Sequence, residues 1–339
     1  MRELFVATSY HHVLTAIAKK YENKSSMDLL ISNLITGDEY WFKYLDKLKS
    51  SGLLDNIYYY DGKRFPHPKP YNIIKTYYYE FFGEKKIIKS IPGFDPLKYD
   101  LIYLIEDKAF PSSTIIRNNR PYHYCEDAPY FFSRLVEGKT LKVLRFPYFK
   151  LKKFFEIINY WHPIFGTAEC CIGIETSTFD NIPEFLSKSK LILVDRRRSI
   201  DNLSRDIKDK ILDIFLDKNT IKQLVDNMDS TAFLMTSIYK SKVNYDEQRL
   251  ICKLAADRFK GKYIVIKPHP RDETNYDKVV DNSIVLSRHF PTEILNFVDE
   301  LCFDTAISVK TSASRHVGFA RNIVNYSLED LGFKFDFYG

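Results

Sequence analysis

The chain contains 339 residues, of which 45% are hydrophobic and 28% are charged, and this composition excludes an intrinsically disordered chain. The length is sufficient for two domains. The net charge of +6 is modest and no long run of lysine and arginine carries it, so it is explained either by a solvated basic surface or by a site for anionic substrates or membranes.

Short apolar runs alternate with longer amphipathic stretches in the first part of the chain. Strands are predicted at residues 4–8, 28–32, 56–60, 101–105 and 122–125, with helices at 13–21 and 40–50. Residues 139–227 are less regular, although "LSRDIKDKILDIFLDKNTIKQLV" within them is predicted to form helices.

A second alternating series follows. Strands are predicted at 232–236, 263–267, 283–286, 300–308 and 322–326, with helices at 246–260 and 292–297. Alternation of strands and helices favours parallel sheets with right-handed crossovers, so the two series indicate two α/β domains. We place the boundary near Asn227, which gives domains of residues 1–227 and 228–339.

One histidine stands between two prolines in "YIVIKPHPRDE", at the end of a predicted strand. Pro268 and Pro270 end the strand and stiffen the backbone around His269. Ligands of open α/β sheets bind beyond the carboxyl ends of strands, so His269 is a candidate catalytic residue, with a surface turn as the alternative. The His-Pro pairs at His67 and His162 lie in loop-like sequence and are interpreted as structural.

Hydroxyl side chains follow another predicted strand, in "SVKTSAS". Thr311, Ser312 and Ser314 precede "RHVGFA", which is predicted to be a helix, and such a helix N-terminus favours either phosphate binding or simple capping. Further candidate substrate- or nucleotide-binding residues at strand ends are Ser9, Thr236, Ser237, Lys267 and Pro270.

Carboxylates at two places are candidates for a general base. Glu126 and Asp127 follow the strand at 122–125, where a solvated loop is the alternative. Asp246 begins a predicted helix, where a first-turn acid is the alternative. The sequence contains no Asp-x-Asp motif and no zinc-ligand cluster, so no metal or other cofactor is predicted, and no P-loop, dinucleotide or GxSxG motif occurs.

The order of these motifs resembles that of bacterial sialyltransferases of the GT-B architecture. Those enzymes share an acidic-acidic-Gly motif, matched by Glu126-Asp127-Ala128, and a His-Pro motif, matched by His269-Pro270. They also share a Ser/Thr pair, matched by Thr311-Ser312 or by Ser312 with Ser314. Ala128 departs from the motif's glycine. "LFVATSYHHVLTAI" and "FLMTSIYKSKVNYDEQRLICKL" resemble glycosyltransferase family 52, which includes lipooligosaccharide and capsule sialyltransferases.

The resemblance implies an α/β fold of the GT-B type, with two Rossmann-like domains whose parallel sheets face across a crevice. It implies an acceptor-side domain at 1–227 and a CMP-sugar-binding domain at 228–339. The implied reaction is metal-independent, inverting transfer of sialic acid from CMP-sialic acid to a galactoside of a capsule or lipooligosaccharide. His269 would act on the donor phosphate, and Glu126, Asp127 or Asp246 would take the acceptor proton. The resemblance also admits a homodimer.

Two other interpretations remain open at the level of sequence. One is a GT-B-like transferase that uses a CMP-keto-sugar or CDP-glycerol, and the other is a non-enzymatic polysaccharide-binding protein. No zinc-finger or RNP pattern indicates a nucleic-acid partner.

The sequence predicts a cytoplasmic location. Five cysteines without a CxxC pair fit a reducing compartment, no apolar run is long enough to span a membrane, and the N-terminal apolar stretch is too short for a signal peptide. The basic aromatic stretch "FPYFKLKKFFEIINYW" is predicted either to contact the inner face of the membrane peripherally or to form a domain-linking helix.

Overall fold

The computed structural model describes residues 1–33, 38–62, 82–107, 110–127, 131–133, 165–237, 244–309, 314 and 317–333. The chain divides into two compact units. Unit 1 comprises Met1–Asp38 and Gly52–Asn202, and unit 2 comprises Glu39–Ser51 and Leu203–Gly339.

Unit 1 is built on a parallel sheet of seven strands in the order β3-β2-β1-β4-β5-β6-β7. Leu4 to Ala7, in an interior strand of this sheet, are buried without alternation, as expected for a parallel strand covered on both faces. The strands are β1 (Arg2–Ala7), β2 (Ser26–Ser32), β3 (Ile57–Tyr60), β4 (Leu101–Leu104), β5 (Tyr122–Cys125), β6 (Cys171–Thr176) and β7 (Leu191–Leu193). The helices of this unit are α1 (Tyr10–Asn23), α3 (Glu84–Ser90), α4 (Ser112–Arg117) and α5 (Arg196–Asp201).

Unit 2 contains a parallel sheet of five strands in the order β10-β9-β8-β11-β12. Its core joins apolar side chains of these strands to one face of the helix that connects β8 and β9. The strands are β8 (Thr231–Met235), β9 (Tyr263–Lys267), β10 (Ser283–Val285), β11 (Phe303–Val309) and β12 (Ala320–Tyr326). The α-helices are α2 (Asp38–Ser50), α6 (Arg205–Phe215), α7 (Lys218–Asp226) and α8 (Tyr245–Ala256), with a 3-10 helix at Thr292–Phe297.

The structure confirms the ten predicted strands, with ends that differ by a few residues, and adds β6 and β7. Both additions lie in the segment where the sequence shows little regularity. Gly173 interrupts the apolar pattern of β6, and the structure gives the reason, because a Cβ at this position would lie 2.8 Å from the ring of His123 on β5. Strand β7 has only three residues, too few for a periodicity.

The helix predicted at residues 315–320 is wrong in its described part. Val317 to Phe319 form no helix, and Ala320 begins β12. Residues 310–313 and 315–316 lie outside the described residues, as do the loops around His67 and His162 and the stretch at 146–161. Among the helices that the structure describes, none is both long enough and apolar enough to cross a membrane.

The division of the chain differs from the predicted boundary near Asn227, because unit 2 already begins at Leu203. Helix α6 belongs to unit 2 through Arg205, which donates a hydrogen bond of 3.1 Å to the carbonyl oxygen of Phe297. Helix α2 belongs there as well, since Tyr44 packs edge-on against Phe215 with ring centroids 5.0 Å apart. An amphipathic pattern shows that a helix has a buried face, but not which sheet that face covers.

Candidate active site

The carboxyl end of β9 holds His269 in a fixed backbone position. The pairing of β9 with β8 extends one residue past the end of β8, because the amide of Thr236 donates to the carbonyl of Lys267 at 3.2 Å. The amide of His269 then donates to Oγ1 of Thr236 at 3.1 Å, and its carbonyl accepts from the amide of Asp272 at 2.8 Å. The predicted position of His269 beyond the strand end is confirmed by this geometry.

Hydrogen bonding assigns the tautomer of His269. Its Nδ1 accepts from the backbone N–H of Arg271 at 3.2 Å, so the neutral ring carries its proton on Nε2. Burial, together with the charges of Arg271 and Lys267, lowers the pKa of His269 to about 4. At neutral pH the imidazole is therefore an uncharged donor, and its Nε2–H has no hydrogen-bond acceptor within the part of the chain that the structure describes.

A buried carboxylate that the sequence interpretation missed supports this turn. Asp272 Oδ2 accepts from the hydroxyls of Thr236 (2.8 Å) and Tyr276 (2.6 Å) and from the amide of Gln248 (3.3 Å), and Oδ1 accepts from the amide of Thr274 (3.0 Å). We call these five residues the Asp272 cluster. It joins the end of β8, helix α8 and the turn after β9. In sequence, Asp272 stands between two charged residues and resembles an ordinary solvated acid.

Two predicted nucleotide-binding residues have other roles in the structure. Lys267 is 2% exposed, and its Nζ donates to the carbonyls of Pro268 (3.1 Å) and Arg288 (3.3 Å), while burial lowers its pKa to about 7. Thr236 is also buried and uses its hydroxyl within the Asp272 cluster. Direct contact of either side chain with a nucleotide is therefore not supported, because each already binds protein atoms.

The remaining predicted residues near β8, β9 and β11 are placed only in part. Ser237 follows β8, and its carbonyl accepts from Gln248 at 2.6 Å. Pro270 begins the turn after His269, and Ser314 is buried, with its carbonyl accepting from the amide of Val317 at 3.3 Å. Thr311 and Ser312 lie outside the described residues, so their role in phosphate binding stays a prediction, without the support of the helix expected at 315–320.

The acidic pair after β5 separates into two environments in unit 1. Glu126 is 2% exposed, and its carboxylate accepts from the amide of Ser177 (2.7 Å), the hydroxyl of Thr176 (3.3 Å) and the amide of Phe132 (3.4 Å). Asp127 has a side chain that is 54% exposed. Glu126 thus anchors the loop to the end of β6, whereas Asp127 is accessible to a substrate.

Asp127 is paired with a histidine that was not predicted as a site residue. Its Oδ1 lies 3.2 Å from Nε2 of His12, on the first turn of α1. The hydrogen bond from His12 lowers the pKa of Asp127 from its ordinary value. The predicted residue Ser9 is the N-cap of the same helix and accepts from the amide of His12 at 3.4 Å. No sequence periodicity links positions 12 and 127, so only the fold reveals the pair.

Asp246, the rival base, occupies the first turn of α8. Its side chain is 89% exposed and lies 3.1 Å from Arg249, one turn further along the helix. Asn244 and Glu247 form a reciprocal capping box around it. The geometry is that of a first-turn helix acid, the alternative that the sequence left open.

No group of three or more His, Cys, Asp or Glu side chains within the described ranges is arranged to hold a metal ion.

No family model matches the sequence. A curated Haemophilus influenzae protein, called an uncharacterized protein, is 30% identical over 69 residues; the match spans 20% of this chain and 22% of that protein.

Solved structures show the fold. An alpha/beta-galactoside alpha-2,3-sialyltransferase from the luminous marine bacterium Photobacterium phosphoreum is 12% identical, with a TM-score of 0.53 over 95% of this chain and 90% of that chain. UGT89C1 of Arabidopsis thaliana, complexed with UDP-L-rhamnose, is 9% identical, with a TM-score of 0.50 over 96% and 85%. The spinosyn forosaminyltransferase SpnP is 10% identical, with a TM-score of 0.50 over 98% and 81%. The chain therefore has the α/β GT-B fold of two Rossmann-like units that glycosyltransferases share.

The Asp272 cluster leads to a stability prediction. In Asp272→Asn an amide NH₂ group replaces one of the two carboxylate oxygens. This group cannot accept a hydrogen bond, so at least one donor of the Asp272 cluster loses its acceptor. We expect the free energy of unfolding to fall by about 3 kcal/mol, as measured by urea denaturation. Asp277→Asn, at an exposed position after the same turn, is the matched control and is expected to change it by less than about 0.5 kcal/mol. Equal effects of the two substitutions would contradict the role of Asp272.

Proposed function

We propose that the protein is an inverting sialyltransferase that transfers sialic acid from CMP-sialic acid to a galactoside of a bacterial capsule or lipooligosaccharide. The observation that carries the proposal is the Nε2–H of His269, a neutral donor held rigidly at the end of a parallel strand with no acceptor among the described residues. The motif order resembling sialyltransferases of the GT-B type and the fold shared with a galactoside sialyltransferase support it.

His269 is assigned to the donor phosphate. When the bond between the anomeric carbon and the phosphate oxygen breaks, its electron pair and the growing negative charge move to that oxygen. A phosphate monoester has a second pKa of about 6, so CMP leaves as a dianion near neutral pH without being protonated. The neutral imidazole then stabilises this charge by a hydrogen bond, as preorganised donors do, and acid catalysis is not needed.

Asp127 is assigned to the acceptor. Its carboxylate is accessible and its pKa is lowered by His12, so it is ionised at neutral pH and able to take the proton of the acceptor hydroxyl. That oxygen attacks the anomeric carbon on the side opposite the phosphate and inverts its configuration. Glu126 is less suited to this role, because its carboxylate already accepts three hydrogen bonds from the protein.

The test is a donor panel read by mass spectrometry. The protein is incubated in EDTA with one of three donors, which are CMP-sialic acid, a different CMP-keto-sugar and CDP-glycerol. Each donor is tested with galactosides as acceptors. We expect a sialylated galactoside and free CMP from the first donor only, and we expect added Mg²⁺ to change the rate no more than about two-fold, as ionic screening does. Transfer from another donor supports the alternative transferase, and absence of transfer from all donors contradicts the proposal.

Replacement of His269 tests the assignment to the phosphate. His269→Ala removes the donor at Nε2 and is expected to lower kcat about 10²–10³-fold, the usual cost of losing one preorganised donor. His269→Gln places an amide N–H at a similar reach and is expected to lose less. Steady-state kinetics measures both, and thermal unfolding verifies that the variants are folded. A kcat for His269→Ala within ten-fold of the native value would remove this assignment.

Replacement of Asp127 tests the base. Asp127→Asn keeps an oxygen that accepts from His12 but cannot take a proton, so transfer is expected to fall about 10²–10⁴-fold. CMP affinity, measured by calorimetry, is expected to stay unchanged because the base acts on the acceptor. Asp246→Asn is the matched control and is expected to retain the native rate to within ten-fold. The reverse ranking of the two variants would move the base to Asp246.

A further inference from the structure

His12 is held on unit 1 by a pair of contacts that fix the state of its ring. It lies on the first turn of α1 and is 3% exposed. The backbone N–H and the hydroxyl Oγ1 of Thr8, the residue after β1, lie 3.3 Å and 3.2 Å from its Nδ1. A backbone N–H only donates, so Nδ1 accepts and the proton of the neutral ring is on Nε2.

The Nε2–H of His12 faces Asp127 at two points. It lies 3.2 Å from the side-chain Oδ1 and 3.4 Å from the carbonyl oxygen. Glu126, the residue before Asp127, accepts a hydrogen bond from the amide of Ser177, which follows β6. Hydrogen bonds thus hold Glu126 and the Oδ1 atom of Asp127 in place. Oδ2 of Asp127 receives no hydrogen bond from any residue in the described ranges.

We propose that His12 is a positioning residue for Asp127, binding Oδ1 with a neutral N–H so that Oδ2 is left to take the proton of the substrate hydroxyl. The inference rests on the proposed function in taking Asp127 as the base. The pairing itself is a property of unit 1 and is measurable without any substrate.

His12 is not suited to be the base itself. Taking a proton at Nδ1 would set an N–H against the backbone N–H of Thr8 and would require the Thr8 hydroxyl to become an acceptor, and Nε2 already carries a proton. Burial lowers the pKa of His12, against the opposing effect of Asp127, so the ring stays neutral at neutral pH. The other charged or titratable groups that act on Asp127 are Arg196 on α5 and His11 on α1, and both also favour its ionised form.

The pairing has a defined effect on pH dependence. The hydrogen bond from His12 is the largest cause of the lowered pKa of Asp127. A base works only when ionised, so activity is lost as the pH falls through this pKa. Loss of the hydrogen bond raises the pKa, and the acid limb of the activity profile then moves to higher pH.

Two isosteric amides separate the contacts of His12. His12→Gln extends an N–H to the position of Nε2 and retains the bond to Asp127. His12→Asn places an oxygen near the position of Nδ1, so it retains the contact with Thr8 but does not reach Asp127. His11→Leu removes the neighbouring imidazole and leaves both contacts of His12 in place, so it measures the separate, smaller effect of His11 on Asp127.

The experiment titrates the Asp127 carboxyl carbon by ¹³C NMR in the full-length protein, with the resonance assigned from Asp127→Asn. We expect the midpoint to move to higher pH in His12→Asn and to stay near the native value in His12→Gln. In His11→Leu we expect a smaller rise than in His12→Asn, because His11 contributes less than His12 to the lowered pKa of Asp127. With substrates, we expect His12→Asn to lower kcat by up to about 100-fold, with an unchanged KM for the donor and an acid limb that follows the NMR midpoint.

An unchanged Asp127 midpoint in His12→Asn, or equal effects of the Asn and Gln variants, would overturn the inference. The NMR arm needs no donor, so a protein that shows the Asp127 shift but transfers no sialic acid contradicts the proposed reaction and leaves the pairing standing.

Discussion

The hydrogen bonds that Asp272 accepts fix the turn on which the candidate site of unit 2 depends. A buried carboxylate is costly unless donors satisfy it, and here hydroxyl and amide donors do so. One consequence concerns Thr236, whose proton is committed to Asp272. Its oxygen therefore turns a lone pair to the amide of His269. The Asp272 carboxylate thus orients the Thr236 hydroxyl, and this hydroxyl fixes the backbone position of His269.

A buried carboxylate also supports a loop in unit 1. Glu126 is buried and accepts from three groups of neighbouring segments, and the next residue, Asp127, carries the accessible carboxylate. In both units a buried acid satisfies backbone and hydroxyl donors and stiffens a short loop beyond a parallel strand. A second side chain, Asp127 or His269, then stands on that loop with an open hydrogen-bonding position. Such loops on rigid sheets are where α/β proteins place their ligands.

The sequence was sufficient for those features that depend on local pattern. Periodicity predicted ten of the twelve described strands, and the prolines around His269 predicted where β9 ends. Features that depend on tertiary contacts could not be predicted from the sequence. Asp272 looks solvated among its charged neighbours, and His12 meets Asp127 only because the fold joins positions 115 residues apart. The environment of Lys267 could not be predicted either, because its Nζ is buried and donates to the carbonyl oxygens of Pro268 and Arg288.

His12 of unit 1 and His269 of unit 2 share a physical state. Each accepts a backbone N–H at Nδ1, from Thr8 in one case and from Arg271 in the other, so each neutral ring carries its proton on Nε2. A phosphate bound at His269 would favour its charged form, but protonation at Nδ1 would bring two donors face to face and break the hydrogen bond from Arg271. The backbone therefore opposes proton transfer at both rings. In the proposed reaction, proton transfer is therefore assigned to Asp127, His12 is assigned to position Asp127, and His269 is assigned to stabilise charge on the donor phosphate.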